Sequence, residues 1–186
     1  MIRNIDASTP KRIAHLFRSA SSDLPTFDFA TESDASKVHH FTVRRYLGNG
    51  VSRFEQCGNS LMTLSPFSGR LLSIWTESNE AVEGLNVIVS LNIPIVRKLA
   101  SCRVTNVVRS SSEVSFTYVT LSRHPEVGAE TFKVEIAPTG DVIFSVTTLL
   151  APRGVRWTIK EYLFRRGSNL MNFYYTYHSR FGVAYK

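Results

Sequence analysis

The segment from Tyr118 to Phe132, YVTLSRHPEVGAETF, gathers more ionisable chemistry than any other stretch of this chain. An imidazole at His124, a guanidinium at Arg123, carboxylates at Glu126 and Glu130, and hydroxyls at Ser122 and Thr120 surround one His-Pro-Glu-x-Gly turn. Pro125 fixes its own φ and biases His124 toward an extended backbone. Gly128 permits a positive φ, which would let the chain reverse into the next strand. A carboxylate beside an imidazole raises the imidazole pKa toward neutrality, and a general acid or base is built that way. The same residues have a plainer use, in which Glu126 and Glu130 pair with Arg123 or cap backbone donors of the turn. Both readings are open.

Other chemistries have less behind them. His39 and His40 form no HxH or HxxxH-type helical pairing with His124, so no metal is expected, and no cofactor, because phosphate-loop and dinucleotide glycine patterns are absent. Gly48-Asn49-Gly50 offers backbone donors to an anion, but a lone Gly-x-Gly reads first as a turn. Cys57 sits on an apolar stripe, where thiols pack rather than react. Cys57 and Cys102 have neither metal-ligand spacing nor the pattern of a disulfide framework. A reducing compartment fits them, the cytoplasm first and the mitochondrion or another organelle as the alternative.

The elements that must position the turn are legible from periodicity. VHHFTVRRYL, residues 38 to 47, reads as a strand ending at Gly48-Asn49-Gly50. Val51, Phe54, Cys57, Leu61 and Leu64 recur at three and four, the stripe of a helix packed on one side. Short β-branched runs near 71 to 76, 85 to 93, 101 to 109, 113 to 121, 130 to 137 and 141 to 150 predict six strands in succession. Tight turns join them at Ser110-Ser111-Ser112 and Pro138-Thr139-Gly140-Asp141. After Pro152 and Gly154, the residues Trp157, Tyr162, Phe164, Leu170, Met171, Phe173, Tyr174, Tyr177 and Phe181 predict a long closing helix. Its rings, each burying roughly 150–250 Å², either fill the concave side of a curved sheet or line a cavity there. The expected fold class is α+β: a curved antiparallel sheet of about seven strands, a short helix after strand 1 and a long C-terminal helix, in a helix-grip arrangement.

At 186 residues, with 43% hydrophobic and 20% charged, the chain has the make-up of one globular domain. Residues 1–36 read as a basic N-terminal segment, short helix and loop, and 37–186 as a single α+β domain. In the first of these, Thr9 and Pro10 suit the N-cap and first position of a short surface helix. Its basic, serine-rich make-up is also that of a mitochondrial transit segment, against which stand Asp6, Asp23 and Asp28. The net charge is +7, and from Ala151 onward Arg153, Arg156, Lys160, Arg165, Arg166, Arg180 and Lys186 face only Glu161. That basic C-terminal helix is either a solvated face or a surface for nucleic acid, an anionic membrane or a larger assembly.

With these residues in view, the chain resembles the uncharacterised protein family 0548 over roughly Phe41 to Phe181. The marks are Leu47-Gly48-Asn49-Gly50 leading to Phe54-Glu55, Cys102-Arg103-Val104 in mid-sheet, the Tyr118 to Phe132 segment and the aromatic closing helix. The family pattern has glycine and glutamate where this chain has Val119 and Ala129, and Ser-Arg-Pro where it has Ala151-Pro152-Arg153. Thr120, His124, Pro125, Glu126, Gly128 and Glu130 match. The resemblance implies a site and a fold but no activity.

The leading expectation is therefore a binding module for an apolar small molecule or lipid, held between the sheet and the C-terminal helix. Phe116, Tyr118, Phe132, Phe144, Trp157, Phe173 and Tyr177 would supply contact area. Arg103, Tyr118, Thr120, His124, Glu126, Glu130 and Trp157 are the expected ligand-binding residues. The alternatives are an enzyme using His124 with Glu126 or Glu130 for acid-base chemistry, and a component of an assembly docking through the basic C-terminal helix.

Overall fold

Alternation of apolar and polar residues dictates a sheet with two different faces, and the computed structural model has one. It describes residues 2–6, 8–25, 39–67, 72–93, 96–122, 124, 126–152 and 181. The elements are β1 (Ile2–Asn4), α1 (Lys11–Ser22), β2 (His39–Asn49), α2 (Val51–Met62), a single 3-10 turn at Ser65–Phe67, β3 (Leu72–Thr76), β4 (Asn86–Ile93), β5 (Val96–Arg109), β6 (Glu113–Thr120), β7 (Glu126–Ile136) and β8 (Asp141–Pro152). The eight strands form one sheet in the order β1-β3-β4-β5-β6-β7-β8-β2. Every pairing is antiparallel except that of β1 with β3. The fold is thus α+β, mostly antiparallel, with two helices among the described residues.

The sequence predicts β2, α2, β3, β4, β6 and β8 closely. β1 is additional, because three residues carry no periodicity. β5 and β7 begin earlier than the apolar runs suggest, at Val96 and Glu126. The N-terminal helix also exists, with two differences from its expected form. Pro10 occupies the N-cap position, and the Thr9 hydroxyl instead accepts the Asp6 N–H at 2.9 Å. The helix is not a detached surface element: Ile13 and Phe17 pack with Trp75 and Ile88 on one face of the sheet, and Ala20 is buried. The closing helix expected from Trp157 to Phe181 lies outside the described residues except for Phe181, and so do Trp157, Phe173, Tyr177, Arg165 and Arg166.

The other face, called inner here, carries the main core. α2 lays Phe54, Cys57, Leu61 and Met62 on it, as their spacing requires. Gly58 lets the helix come close, since a Cβ there would stand 2.9 Å from Val114 Cγ2. Phe67 meets Phe116 and Phe132 edge-on at 6.2 and 4.7 Å between ring centres, and Phe144 packs on Phe181 at 4.7 Å. Phe116, Phe132 and Phe144 are therefore core rings at this end of the sheet, fully buried. Arg53 ties the corner together, donating to the carbonyls of Leu47 at 2.8 Å and Phe181 at 3.1 Å.

Candidate functional site

Strand register decides which polar residues share the inner face. Directly paired residues in an antiparallel sheet point the same way, so Val104, Tyr118, Glu130, Thr148 and Phe41 form one row across β5, β6, β7, β8 and β2. Cys102 and Thr120 are paired in the neighbouring row, with Val87 on one side. Beyond the Phe116 and Phe132 rings, the inner face thus turns from aromatic to polar, and Glu130 lies at its centre.

Glu130 is 7% exposed. Its Oε2 accepts the Tyr118 hydroxyl and its Oε1 accepts the Thr148 hydroxyl at 3.2 Å. Both donors are neutral, and no cation pairs with this carboxyl among the described residues. Burial is the largest cause that pushes its pKa up, to about 7, with the Glu126 carboxylate adding to the rise. The hydroxyls of Tyr118 and Thr148 oppose it. The Tyr118 ring is positioned by Phe132, 5.3 Å away between centres, so one aromatic residue both seals the core and holds the acid.

The thiol of Cys102 is wholly buried beside this group. Desolvation, then the charges of Glu130 and Glu126, push its pKa well above the usual thiol range. Burial likewise raises Cys57. Both cysteines are free thiols, and neither is activated as a nucleophile.

Gly128 sits between the two glutamates, inside β7 rather than at a chain reversal. Its φ is +152°, and a Cβ built there would stand 1.9 Å from the Leu149 carbonyl oxygen. The glycine is needed for a close approach of β7 to β8, not for the turn expected of it. Thr120, fully buried, accepts the Gly128 N–H at 2.9 Å. Its hydroxyl thereby holds the strand segment that carries Glu126 and Glu130 on one face.

His124 is buried at 8% exposure, and its Nδ1 lies 3.0 Å from the Glu126 N–H. The same Nδ1 lies 3.1 Å from the Glu126 carbonyl oxygen, so it accepts from the N–H in one tautomer and donates to the carbonyl in the other. The histidine is thus oriented by the main chain of its own turn. Arg123 and Pro125 lie outside the described residues.

The expected ligand-binding residues are divided by this geometry. Tyr118, Thr120, Glu126 and Glu130 come together on the inner face, and His124 stands at the end of the strand that leads there. Arg103 does not join them. It is on the outer face, donating to the Ala20 carbonyl at 2.6 Å and to Asn86 Oδ1 at 3.0 Å, where it caps the C-terminal end of α1. Trp157 lies outside the described residues. Sequence reasoning missed Thr148 and the placement of Cys102. Thr148 was within reach: counting equally in both directions from Thr139 in the β7–β8 turn puts it opposite Glu130.

Groups of three or more His, Cys, Asp or Glu side chains able to hold a metal are absent among the described residues. No helix among them is long and apolar enough to cross a membrane.

The model of the family "Domain of unknown function (DUF1990)" matches residues 26–176. At that level it agrees with the resemblance to an uncharacterised family. No curated protein matches the chain. Solved structures do: the di-domain ARO/CYC StfQ from the steffimycin biosynthetic pathway has a TM-score of 0.52 at 11% identity, over 79% of this chain and 51% of that one. The hypothetical protein jhp0584 from Helicobacter pylori has a TM-score of 0.51 at 8% identity, over 81% of this chain and 92% of that one. Ara h 8.0201 is similar at 0.48 and 14% identity, over 75% of this chain and 95% of that one. At such identities the likeness bears on the fold alone.

Proposed function

We propose that this chain, which belongs to the family described as Domain of unknown function (DUF1990), binds an apolar small molecule against the inner face of its sheet. Glu130, Tyr118 and Thr148 would take the ligand's polar group. The observation that carries this reading is the Glu130 carboxyl: buried, on the inner face, hydrogen-bonded among the described residues only by neutral hydroxyls, with its pKa pushed up to about 7. Such a group costs stability in an ordinary core, and strongly perturbed acids cluster where ligands or substrates are met. On the same face Val104 shares its row, and Leu150 and Val87 lie in the neighbouring one, all buried and apolar as such a site needs.

The helix-grip arrangement, with residues 153–180 as the covering helix, belongs to this reading, and the likeness to StfQ supports it. So does the identification with family 0548, whose marks between Phe41 and Phe181 overlap the matched residues. We take 37–186 as the binding unit and 1–36 as an addition to it, in a reducing compartment such as the cytoplasm that suits two buried free thiols. Native mass spectrometry of the purified chain, before and after organic extraction, tests the reading. A bound small molecule that extraction removes is expected. Repeated recovery of the bare chain, with no uptake of the fluorescent probe 2-naphthol, would contradict it.

A second reading is favoured by the same acid: a carboxyl with a pKa near 7 is poised to give and take protons at neutral pH. The proton-transfer residue is then Glu130, with His124 at the margin. Incubating the extracted molecules with the wild type and with Glu130→Gln separates the readings. A mass or isomer change with the wild type alone supports catalysis, and unchanged molecules leave binding.

A further inference from the structure

The charge on α1 is sorted by face. Ile13, Phe17 and Ala20 are buried toward the sheet. At about 100° per residue, Lys11, His15 and Arg18 fall on one line opposite that buried set, and Arg12 lies beside them. All four are exposed, and none has a hydrogen bond or ion pair from its side chain among the described residues. The helix KRIAHLFRSASS holds no acidic residue. Arg3, exposed on β1 with its guanidinium 5.0 Å above the Trp75 ring, extends the positive surface at the sheet edge. Just past the helix end, Leu24 is 78% exposed.

Exposed Lys11, Arg12 and Arg18, with no side-chain partner among the described residues, fit an anionic surface, and the leucine selects which kind. A large apolar side chain held in water two residues beyond the helix that carries the cations gains by entering the headgroup and acyl boundary of a bilayer, while a nucleic-acid backbone offers it nothing. We propose that the outer face of α1 docks the protein on bilayers bearing anionic phospholipid, with Lys11, Arg12 and Arg18 over the headgroups and Leu24 at the boundary. The helix lies ahead of the residues that the family model matches. It is also on the opposite side of the sheet from Glu130, which leaves the inner face clear while the protein is docked.

Sedimentation with sucrose-loaded vesicles tests this. Wild-type protein is expected to bind phosphatidylcholine vesicles containing phosphatidylserine, to ignore pure phosphatidylcholine, and to release as salt rises. Each cation near such a surface is worth about fivefold in partition, so the triple variant Lys11→Gln, Arg12→Gln, Arg18→Gln should bind on the order of a hundredfold more weakly. Leu24→Ser should lower binding several-fold with the charge unchanged. All four sites are exposed, and circular dichroism confirms that the variants fold. No binding to the anionic vesicles would overturn the proposal, whether or not the protein binds a short RNA duplex instead. So would vesicle binding that the triple variant leaves unchanged, which would move the contact elsewhere on the chain.

Discussion

Replacing Glu130 by glutamine removes one ionisation from a buried site and leaves the shape almost unchanged. In the folded chain this carboxyl titrates near 7, against 4.5 for an ordinary glutamate. Between those values the folded state keeps a proton that the unfolded state has lost. The stability that the neutral acid contributes is therefore fully present below 4.5 and is lost as pH rises through about 7. A displacement of this size corresponds to on the order of 3 kcal/mol at about 1.4 kcal/mol per unit. The group is buried at 7% exposure, so solvent screening takes little from that figure. Glutamine cannot ionise, and both hydroxyls facing it can rotate to donate or accept. The stability of Glu130→Gln relative to the wild type should hence rise by on the order of 3 kcal/mol between about pH 4 and about pH 8. In melting temperature that is roughly 10 °C for a chain of this size. Urea unfolding of both proteins across that range, followed by far-UV circular dichroism, measures the difference directly and cancels every other titrating group. A difference that stays flat with pH would refute the placement of Glu130 as a buried, uncompensated acid.

Four further outcomes follow from the geometry. Tyr118→Phe removes a hydrogen bond that favours the Glu130 carboxylate, so the loss of stability in the same experiment should move to higher pH, by on the order of one unit. Gly128→Ala meets the Leu149 carbonyl at 1.9 Å, at a φ of +152°, and should cost about 3 kcal/mol or more by urea unfolding. Gly50→Ala, with φ +93° but open space around it, should cost only about 1 kcal/mol. Arg103→Ala should cost about 1–3 kcal/mol and speed amide exchange in α1, since its two hydrogen bonds hold Ala20 and Asn86. It should leave 2-naphthol binding unchanged, and a loss of that binding would place Arg103 in the site after all.

Much of the scaffold was legible because period and turn chemistry agree. Val51, Phe54, Cys57 and Leu61 marked α2, and Pro138-Thr139-Gly140 marked the β7–β8 hairpin, since both signals are local. The site was legible in composition and less so in arrangement. Glu126 reads as a turn residue and Glu130 as the first residue of the next strand, whereas β7 begins at Glu126 and carries both on its inner face. That difference comes from pairing with β8, which extends the strand past its apolar run. Gly128 looked like a hinge because a glycine's use is not written in its neighbours. Only the Leu149 carbonyl, on another strand, reveals the close approach. Arg103 stands beside Cys102 in sequence and across the sheet from it in space, as the strand period of two requires. Its partner Ala20 is remote in the chain and could not be read from it.

The most direct measurement is a nuclear magnetic resonance titration of labelled protein with 2-naphthol, or with the molecule recovered by extraction. Saturable shifts of Cys102, Tyr118, Thr120, Glu130 and Thr148, weakened in Glu130→Gln, are the predicted result. Shifts confined to the outer face, around Arg103 and α1, or no saturable shift with either molecule, would contradict a ligand held on the inner face of the sheet.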